Sequence, residues 1–205
     1  MIGLKSMNQS WNTNPLQTNR VAFCYKNLVN AWIRTTTIDA PVVSNMTAIN
    51  APLTMLDGTP TTFEQFANQV VLVVNVASRC GLSPQYEALE ALQKKYGARG
   101  FTVLGVPSDQ FKQELKTEGD IAEYCSTTWG VTFPMTSKVK VNGKERSELY
   151  KTLVKTKDHA GFAGPVLWNF EKFLVLPNGE IHRFRPTTKP DDEAIVALIE
   201  ANLPS

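Results

Sequence analysis

Residues 69–107 read QVVLVVNVASRCGLSPQYEALEALQKKYGARGFTVLGVP. Gln69–Ala77 is a Val-rich run, the mark of a strand buried on both faces. Pro84 suits the first turn of a helix. Tyr86, Leu89, Leu92 and Tyr96 then recur at steps of three and four and predict one apolar helical face. Gly97 and Gly100 close that helix. Phe101–Val106 is a second buried strand, ended by Pro107. A strand, a helix and a strand in this order open an alternating α/β pattern.

Outward from this unit, Leu56-Asp57-Gly58-Thr59-Pro60 is a turn signal between two short extended pieces and predicts an N-terminal β-hairpin. Ile121, Cys125 and Thr128 lie along a second helix that stops near Gly130, and Glu145–Val154 predicts a third. Phe170–Leu176 and Ile181–Phe184 flank the hairpin turn Pro177-Asn178-Gly179. Asp192–Asn202 is a closing amphipathic helix. The expected fold is α/β: a mixed central sheet with helices on both faces and an N-terminal hairpin. That order of elements is the one a thioredoxin-like fold gives.

The chain has 205 residues, with 21 Lys+Arg against 19 Asp+Glu. Hydrophobic residues at 42% and charged residues at 20% are globular composition and argue against wholesale disorder. The longest apolar run, Val70–Val74, is far too short for a bilayer span, so stable membrane insertion is not expected. A net charge of +2 gives no footprint for nucleic acid. Three cysteines and two histidines offer neither a disulfide scaffold nor a spaced zinc site. Residues 1–38 hold Lys5, Arg20, Lys26 and Arg34 and no acid. Residues 1–45 fit either an organelle-targeting leader or a disordered extension, and the extension, or translation from an upstream start, is the reading adopted. Within it only Val21–Ile33 has amphipathic helical spacing, and Cys24 is given no role. Met46-Thr47 is a natural first pair for a folded domain spanning 46–205. With no secretory h-region, the expected location is cytoplasmic.

The chemistry starts at Asn75-Val76-Ala77-Ser78-Arg79-Cys80-Gly81-Leu82-Ser83-Pro84. Cys80 falls between a buried strand and a helix N-terminus, where free N–H groups and the helix dipole favour a thiolate. Arg79 beside it either adds positive potential or points away. The same position also suits an inert cysteine closing the strand. Cys80-Gly81-Leu82-Ser83 is not C-x-x-C, which argues against a thiol–disulfide oxidoreductase or a non-catalytic thioredoxin-like binding module.

The run Asn75–Pro84 closely resembles the signature of the glutathione peroxidase family, whose members reduce hydroperoxides at a Cys or selenocysteine. Gly105-Val106-Pro107-Ser108-Asp109-Gln110-Phe111 with Gln113-Glu114 resembles the family's second block, F-P-C-N-Q-F-G-x-Q-E. Trp168-Asn169-Phe170-Glu171-Lys172-Phe173-Leu174-Val175 resembles its third. The three blocks keep the family's order and spacing, and the resemblance covers about residues 46 to 205. Cys80 marks the non-selenium type, and the overall likeness is to the bacterial enzymes.

By matching position, the resemblance makes Cys80 the peroxidatic residue and Gln113, Trp168 and Asn169 the rest of a tetrad. The thiolate attacks one peroxide oxygen and becomes a sulfenic acid. The three neutral donors stabilise charge on the sulfur and the leaving oxygen. Sulfur carries the electrons, so no metal, haem or flavin cofactor is implied. Two departures stand out. One residue separates Phe111 from Gln113 where the family has two, which makes Gln110 the substitute candidate. Ser108 occupies the second block's Cys position, but that Cys is not the resolving residue of thioredoxin-dependent members. Their resolving Cys lies in the next helix, where Cys125 stands. Its alternative reading is an inert core cysteine. Pairing with Cys80 implies that the helix around Cys125 unwinds, and Gly119 before it and Thr127-Thr128 within it predict a weak helix. The implied reductant is thioredoxin or a low-molecular-weight thiol, and the substrates are hydrogen peroxide and organic hydroperoxides. The short stretch between Val154 and Trp168 implies a monomer with an open site. A peroxide sensor that relays its disulfide to a partner protein uses the same residues.

Overall fold

The computed structural model describes residues 49–204. The leader, Val21–Ile33, Cys24 and the Met46-Thr47 start all lie outside the described residues.

Two β-sheets form. Strands β1 (Pro52–Thr54) and β2 (Pro60–Thr62) make a small antiparallel hairpin. Its turn is closed by Met55 N–H to Thr59 O and by Thr59 N–H to the Asp57 carboxylate, with Gly58 at φ 88°. This hairpin is a sheet of its own and does not extend the central one. The central sheet has four strands in the order β4-β3-β5-β6: β3 is Val70–Val76, β4 Phe101–Pro107, β5 Lys172–Val175 and β6 Ile181–Phe184. Strands β3 and β4 run parallel, from Val70 opposite Phe101 to Val76 opposite Pro107. The β3–β5 and β5–β6 pairs are antiparallel, so the sheet is mixed as expected.

The helices are α1 (Gln85–Tyr96), α2 (Glu118–Trp129), α3 (Glu148–Leu153) and α4 (Glu193–Asn202). Every residue of β3 is buried, which explains its unbroken apolar run. Its two faces feed two cores. Val70, Leu72, Val74 and Val76 meet Tyr86, Leu89, Leu92 and Tyr96 of α1, together with residues of α2 and α4. Val71 and Val73 meet Leu149, Tyr150 and Leu153 of α3 and Phe63 and Phe66. The predicted α1 face is thus the face that is buried.

Three boundaries differ from the sequence reading. The third helix begins at Glu148, since Ser147 before it has a non-helical ψ of 154°. Gly119 lies inside the first turn of α2, which the Thr117 side chain caps by accepting from Asp120 N–H. Strand β5 begins at Lys172 because Phe170 sits at φ 64°, in a turn that an apolar count cannot see.

Lys172 is fully buried in β5, and its ammonium donates to the carbonyls of Pro186 and Thr188. Burial pulls it down from 10.5 to about 7, against the upward pull of Glu171. Between those values the unfolded chain holds this proton and the folded chain does not, so the site's contribution to stability rises with pH from about 7 to 10.5 and is least favourable below 7. Urea-unfolding free energies measured from about pH 6 to about pH 10 should therefore rise less steeply in Lys172→Met than in the parent. Identical slopes would show that the buried ammonium keeps its proton.

Candidate active site

The sequence turns out of β3 through Ala77 and Ser78 and re-enters regular structure at α1. A succession of tight turns spans the gap: Ser83 N–H to Cys80 O, Gln85 N–H to Leu82 O and Tyr86 N–H to Ser83 O. Pro84 precedes α1 with helical dihedrals. Cys80 therefore lies just ahead of the helix N-terminus, nearly buried, and its Sγ accepts from Leu82 N–H at 3.4 Å. A donor directed at the sulfur is what the strand–turn–helix reading requires. The Arg79 side chain is exposed, while its N–H donates to the Gln113 carbonyl at 2.9 Å. That bond ties the β4–α2 loop to the thiol loop.

Gln113, Asn169 and Trp168 arrive from two distant segments. The Asn169 Nδ2 amide donates to Gln113 Oε1 at 2.9 Å. Asn169 is fully buried, and Trp168 remains 43% exposed. The Phe111 and Trp168 rings meet at 5.1 Å with a 44° tilt. The shortened loop is accommodated at Lys112, whose φ of 60° places a non-glycine residue in the left-handed region.

Gln110, the substitute candidate, is not part of this cluster. Its Oε1 accepts from Val141 N–H at 2.6 Å and Asn142 N–H at 2.7 Å, and its Nε2 donates to Asn142 O. It is a brace for the loop that follows α2. Ser108 is buried at the end of β4, with its N–H on Val76 O.

Two residues that sequence reasoning left without a role hold the third block in place. Asn75 is fully buried in β3. Its Nδ2 donates to Trp168 O at 3.0 Å and its Oδ1 accepts from Glu171 N–H at 3.1 Å. Its own carbonyl accepts from Phe170 N–H at 2.6 Å. These bonds, together with the fully buried Phe170 ring set edge-on to Tyr86 at 5.4 Å, hold Phe170 in its left-handed conformation. Glu171 is also fully buried. Its carboxylate accepts from Leu167 N–H at 2.8 Å, from Arg183 Nε at 2.6 Å and from Arg185 Nη1 at 2.8 Å. Arg183 spends its remaining donors on the carbonyls of Thr156, Gly164 and Pro165. A signal for Asn75 was present, since it is the one polar residue in an otherwise apolar seven-residue strand.

Cys125 lies in the second half of α2, not at the start of an element. It is buried in the same core as Cys80, and both are unpaired thiols. Burial pushes the Cys125 thiol up to about 11; Tyr86 opposes the rise and the Glu114 charge adds to it. Ile121 and Cys125 are the fully buried residues of α2, against five in α1, and Tyr124 and Trp129 pack half-buried against the same core. Thr127 Oγ1 and Ser126 Oγ both donate to the Glu123 carbonyl, which competes with the helical ladder.

A buried thiol in the turns between a strand and a helix of a thioredoxin-like sheet, tied through the Arg79 N–H to the loop that carries Gln113, fits a thiol-peroxidase type of site. Residues 49–154 match the model of the family described as Glutathione peroxidase. The chain belongs to the glutathione peroxidase family and is a peroxidase. It is 46% identical over 169 residues to the Thioredoxin/glutathione peroxidase BtuE of Escherichia coli (strain K12), covering 72% of this chain and 92% of that protein. It is 46% identical over 153 residues to the Hydroperoxy fatty acid reductase Gpx2 of Synechocystis sp. (strain ATCC 27184 / PCC 6803 / Kazusa), covering 74% of this chain and 96% of the relative. The crystal structure of Trgpx in apo form superposes with a TM-score of 0.59 at 34% identity, covering 77% of this chain and 99% of that one.

If Gln110 is a brace, Gln110→Ala strands two backbone N–H groups, one of them on the buried Val141. The variant should lose about 1–3 kcal/mol of stability in denaturant titrations. A loss below about 0.5 kcal/mol, the range of an ordinary surface change, would contradict that role.

Proposed function

We propose that Cys80 is the peroxidatic thiol of a two-cysteine peroxidase, that Cys125 resolves its sulfenic acid, and that thioredoxin returns the pair to dithiol. The observation that supports this reading is the bond from Arg79 N–H to the Gln113 carbonyl, which ties the segment of the Gln113–Asn169 pair to the loop where Leu82 N–H meets the Cys80 sulfur. The thiolate attacks the near oxygen of the hydroperoxide, the O–O bond breaks, and the far oxygen leaves as alkoxide or hydroxide and takes a proton. Trp168, Gln113 and Asn169 stabilise that departing charge as neutral donors.

Cys125 then attacks the sulfenic sulfur and expels water. A disulfide needs Cα atoms about 4.4–6.8 Å apart. The sparse burial of α2 and the side-chain competition at Glu123 support a local opening that brings Cys125 to Cys80. The reductant reading draws support from the BtuE relative, whose name couples thioredoxin with peroxidase activity. Thioredoxin reduces the disulfide by thiol–disulfide exchange. The exposed Leu167 and Trp168 beside Phe111 make an apolar rim suited to organic hydroperoxides, and one relative is named for hydroperoxy fatty acids. Residues 46–205 are the catalytic unit, acting as a cytoplasmic monomer. Among the described residues no helix is long and apolar enough to cross a membrane.

The test is consumption of hydrogen peroxide and cumene hydroperoxide with thioredoxin, thioredoxin reductase and NADPH. Cys80→Ser should abolish turnover, and Cys125→Ser should abolish turnover with thioredoxin. Thioredoxin-driven turnover that survives in Cys125→Ser would remove Cys125 as the resolving residue. Full activity in Cys80→Ser would refute the assignment of the peroxidatic residue.

A further inference from the structure

Asn142 lies in the connection between α2 and α3, half-buried, and the peroxidase chemistry gives it no task. Its side chain bonds twice to one residue. Its Nδ2 donates to Val166 O at 2.8 Å, and its Oδ1 accepts from Val166 N–H at 2.8 Å. Its own backbone is gripped in the same way from the other side. Gln110 Oε1 accepts from Asn142 N–H at 2.7 Å, and Gln110 Nε2 donates to Asn142 O at 3.1 Å. Two amide side chains thus stand in series, each closing a pair of hydrogen bonds on the backbone of the next segment. Val141 and Val166 beneath them are buried in the core that also holds Val71 and Val73.

This series joins the two segments that carry the candidate donors. Gln110 stands one residue before Phe111 and three before Gln113, and Val166 stands two before Trp168 and three before Asn169. The other backbone ties of the second segment lead elsewhere. Arg183 holds the carbonyls of Gly164 and Pro165, Glu171 holds Leu167 N–H, and Asn75 holds Trp168 O. Those three groups stand in or beside strands of the central sheet. Asn142 ties the same segment sideways, to the loop of Gln113.

We propose that Asn142 is a positioning residue for peroxide reduction: with Gln110 it sets the separation between the Gln113 segment and the Val166–Trp168 segment, and through it the aim of the Trp168 indole. The inference rests on the reading of Trp168 as a donor in the peroxidatic step. Asn169 is fully buried and bonded to Gln113 directly, so it is fixed without this series. Trp168 is 43% exposed, and the Phe111 ring against which it rests follows Gln110 directly. Val166 is 2% exposed, so its N–H and C=O are shielded from water, and loss of the Asn142 amide strands both. The segment then shifts to find other partners, and the shift is passed to Trp168 two residues on. A displacement of about 1 Å in a positioned group costs on the order of 10²-fold in rate.

The experiment is a double-mutant cycle on Cys80 oxidation by hydrogen peroxide. The full chain carries Cys125→Ser, and mass spectrometry reads the dimedone-trapped sulfenic acid. Trp168→Phe removes the indole N–H and keeps a ring against Phe111; it should slow oxidation at least about tenfold. Asn142→Ala should also slow it at least about tenfold, in protein that keeps the parental circular-dichroism spectrum. The double variant should match Trp168→Phe alone to within about twofold, because the aim of a donor is immaterial once the donor is gone. A parental rate in Asn142→Ala would overturn the proposal. Losses that multiply in the double variant would overturn it too, since a general support of the fold acts whether or not the indole is present. If Asn142→Ala does not fold, Asn142→Asp is read by the same two criteria; it keeps the acceptor for Val166 N–H and loses the donor to Val166 O. A parental rate in Trp168→Phe would remove Trp168 from the peroxidatic chemistry and this proposal with it, whereas a slow Trp168→Phe beside an unaffected Asn142→Ala removes only the proposal.

Discussion

The Asn75 side chain is the interaction on which the site depends. Standing in the middle strand of a parallel and antiparallel sheet, it joins the strand that ends at Cys80 to the turn that carries Trp168 and Asn169. Its amide and carbonyl partners lie 93 and 96 residues away in sequence. An amide inside an apolar strand is costly unless fully bonded, and here both ends are used. The bonds also hold Phe170 in a conformation that non-glycine residues avoid. From beneath, Glu171 and its two arginines fix the loop that delivers Leu167 and Trp168. Trp168 and Asn169 are thus placed by buried polar groups anchored in the sheet.

The two thiols sit in opposite mechanical settings. Cys80 lies in a rigid succession of turns between a fully buried strand and a well-anchored helix. Cys125 sits on a helix with two fully buried side chains, itself among them, and two half-buried ones, Tyr124 and Trp129. The same core that keeps Cys125 neutral at rest makes its ionisation costly.

Much of this was legible in the residues. The Val-rich strand, the buried face of α1, both hairpins and the mixed sheet follow from local pattern alone, because period and turn chemistry are local properties. Cys80 was legible for the same reason, as a cysteine between a strand and a helix. Gln113 was ambiguous against Gln110 because sequence spacing counts residues, while a left-handed turn at Lys112 changes how far the chain reaches. The start of β5 was misplaced since Phe170 and Glu171 read as apolar-strand context, and only the long-range bonds to Asn75 impose the turn. Asn75 itself was visible as a polar intrusion, but what it bonds to depends on tertiary pairing. The placement of Gly119 inside α2 reflects a cap at Thr117 that outweighs the glycine's poor propensity.

The most direct measurement of the central claim is the rate of Cys80 oxidation by hydrogen peroxide in Asn75→Ala against the parent, both carrying Cys125→Ser so that the dimedone-trapped sulfenic acid persists for mass spectrometry. If the Asn75 bonds place the donors that make this thiol reactive, the rate should fall at least about tenfold, in line with the loss of one preorganised donor, in protein that retains its folded circular-dichroism spectrum. An unchanged rate in the folded variant would mean that the helix N-terminus alone activates Cys80 and that the clamped turn is not part of the chemistry.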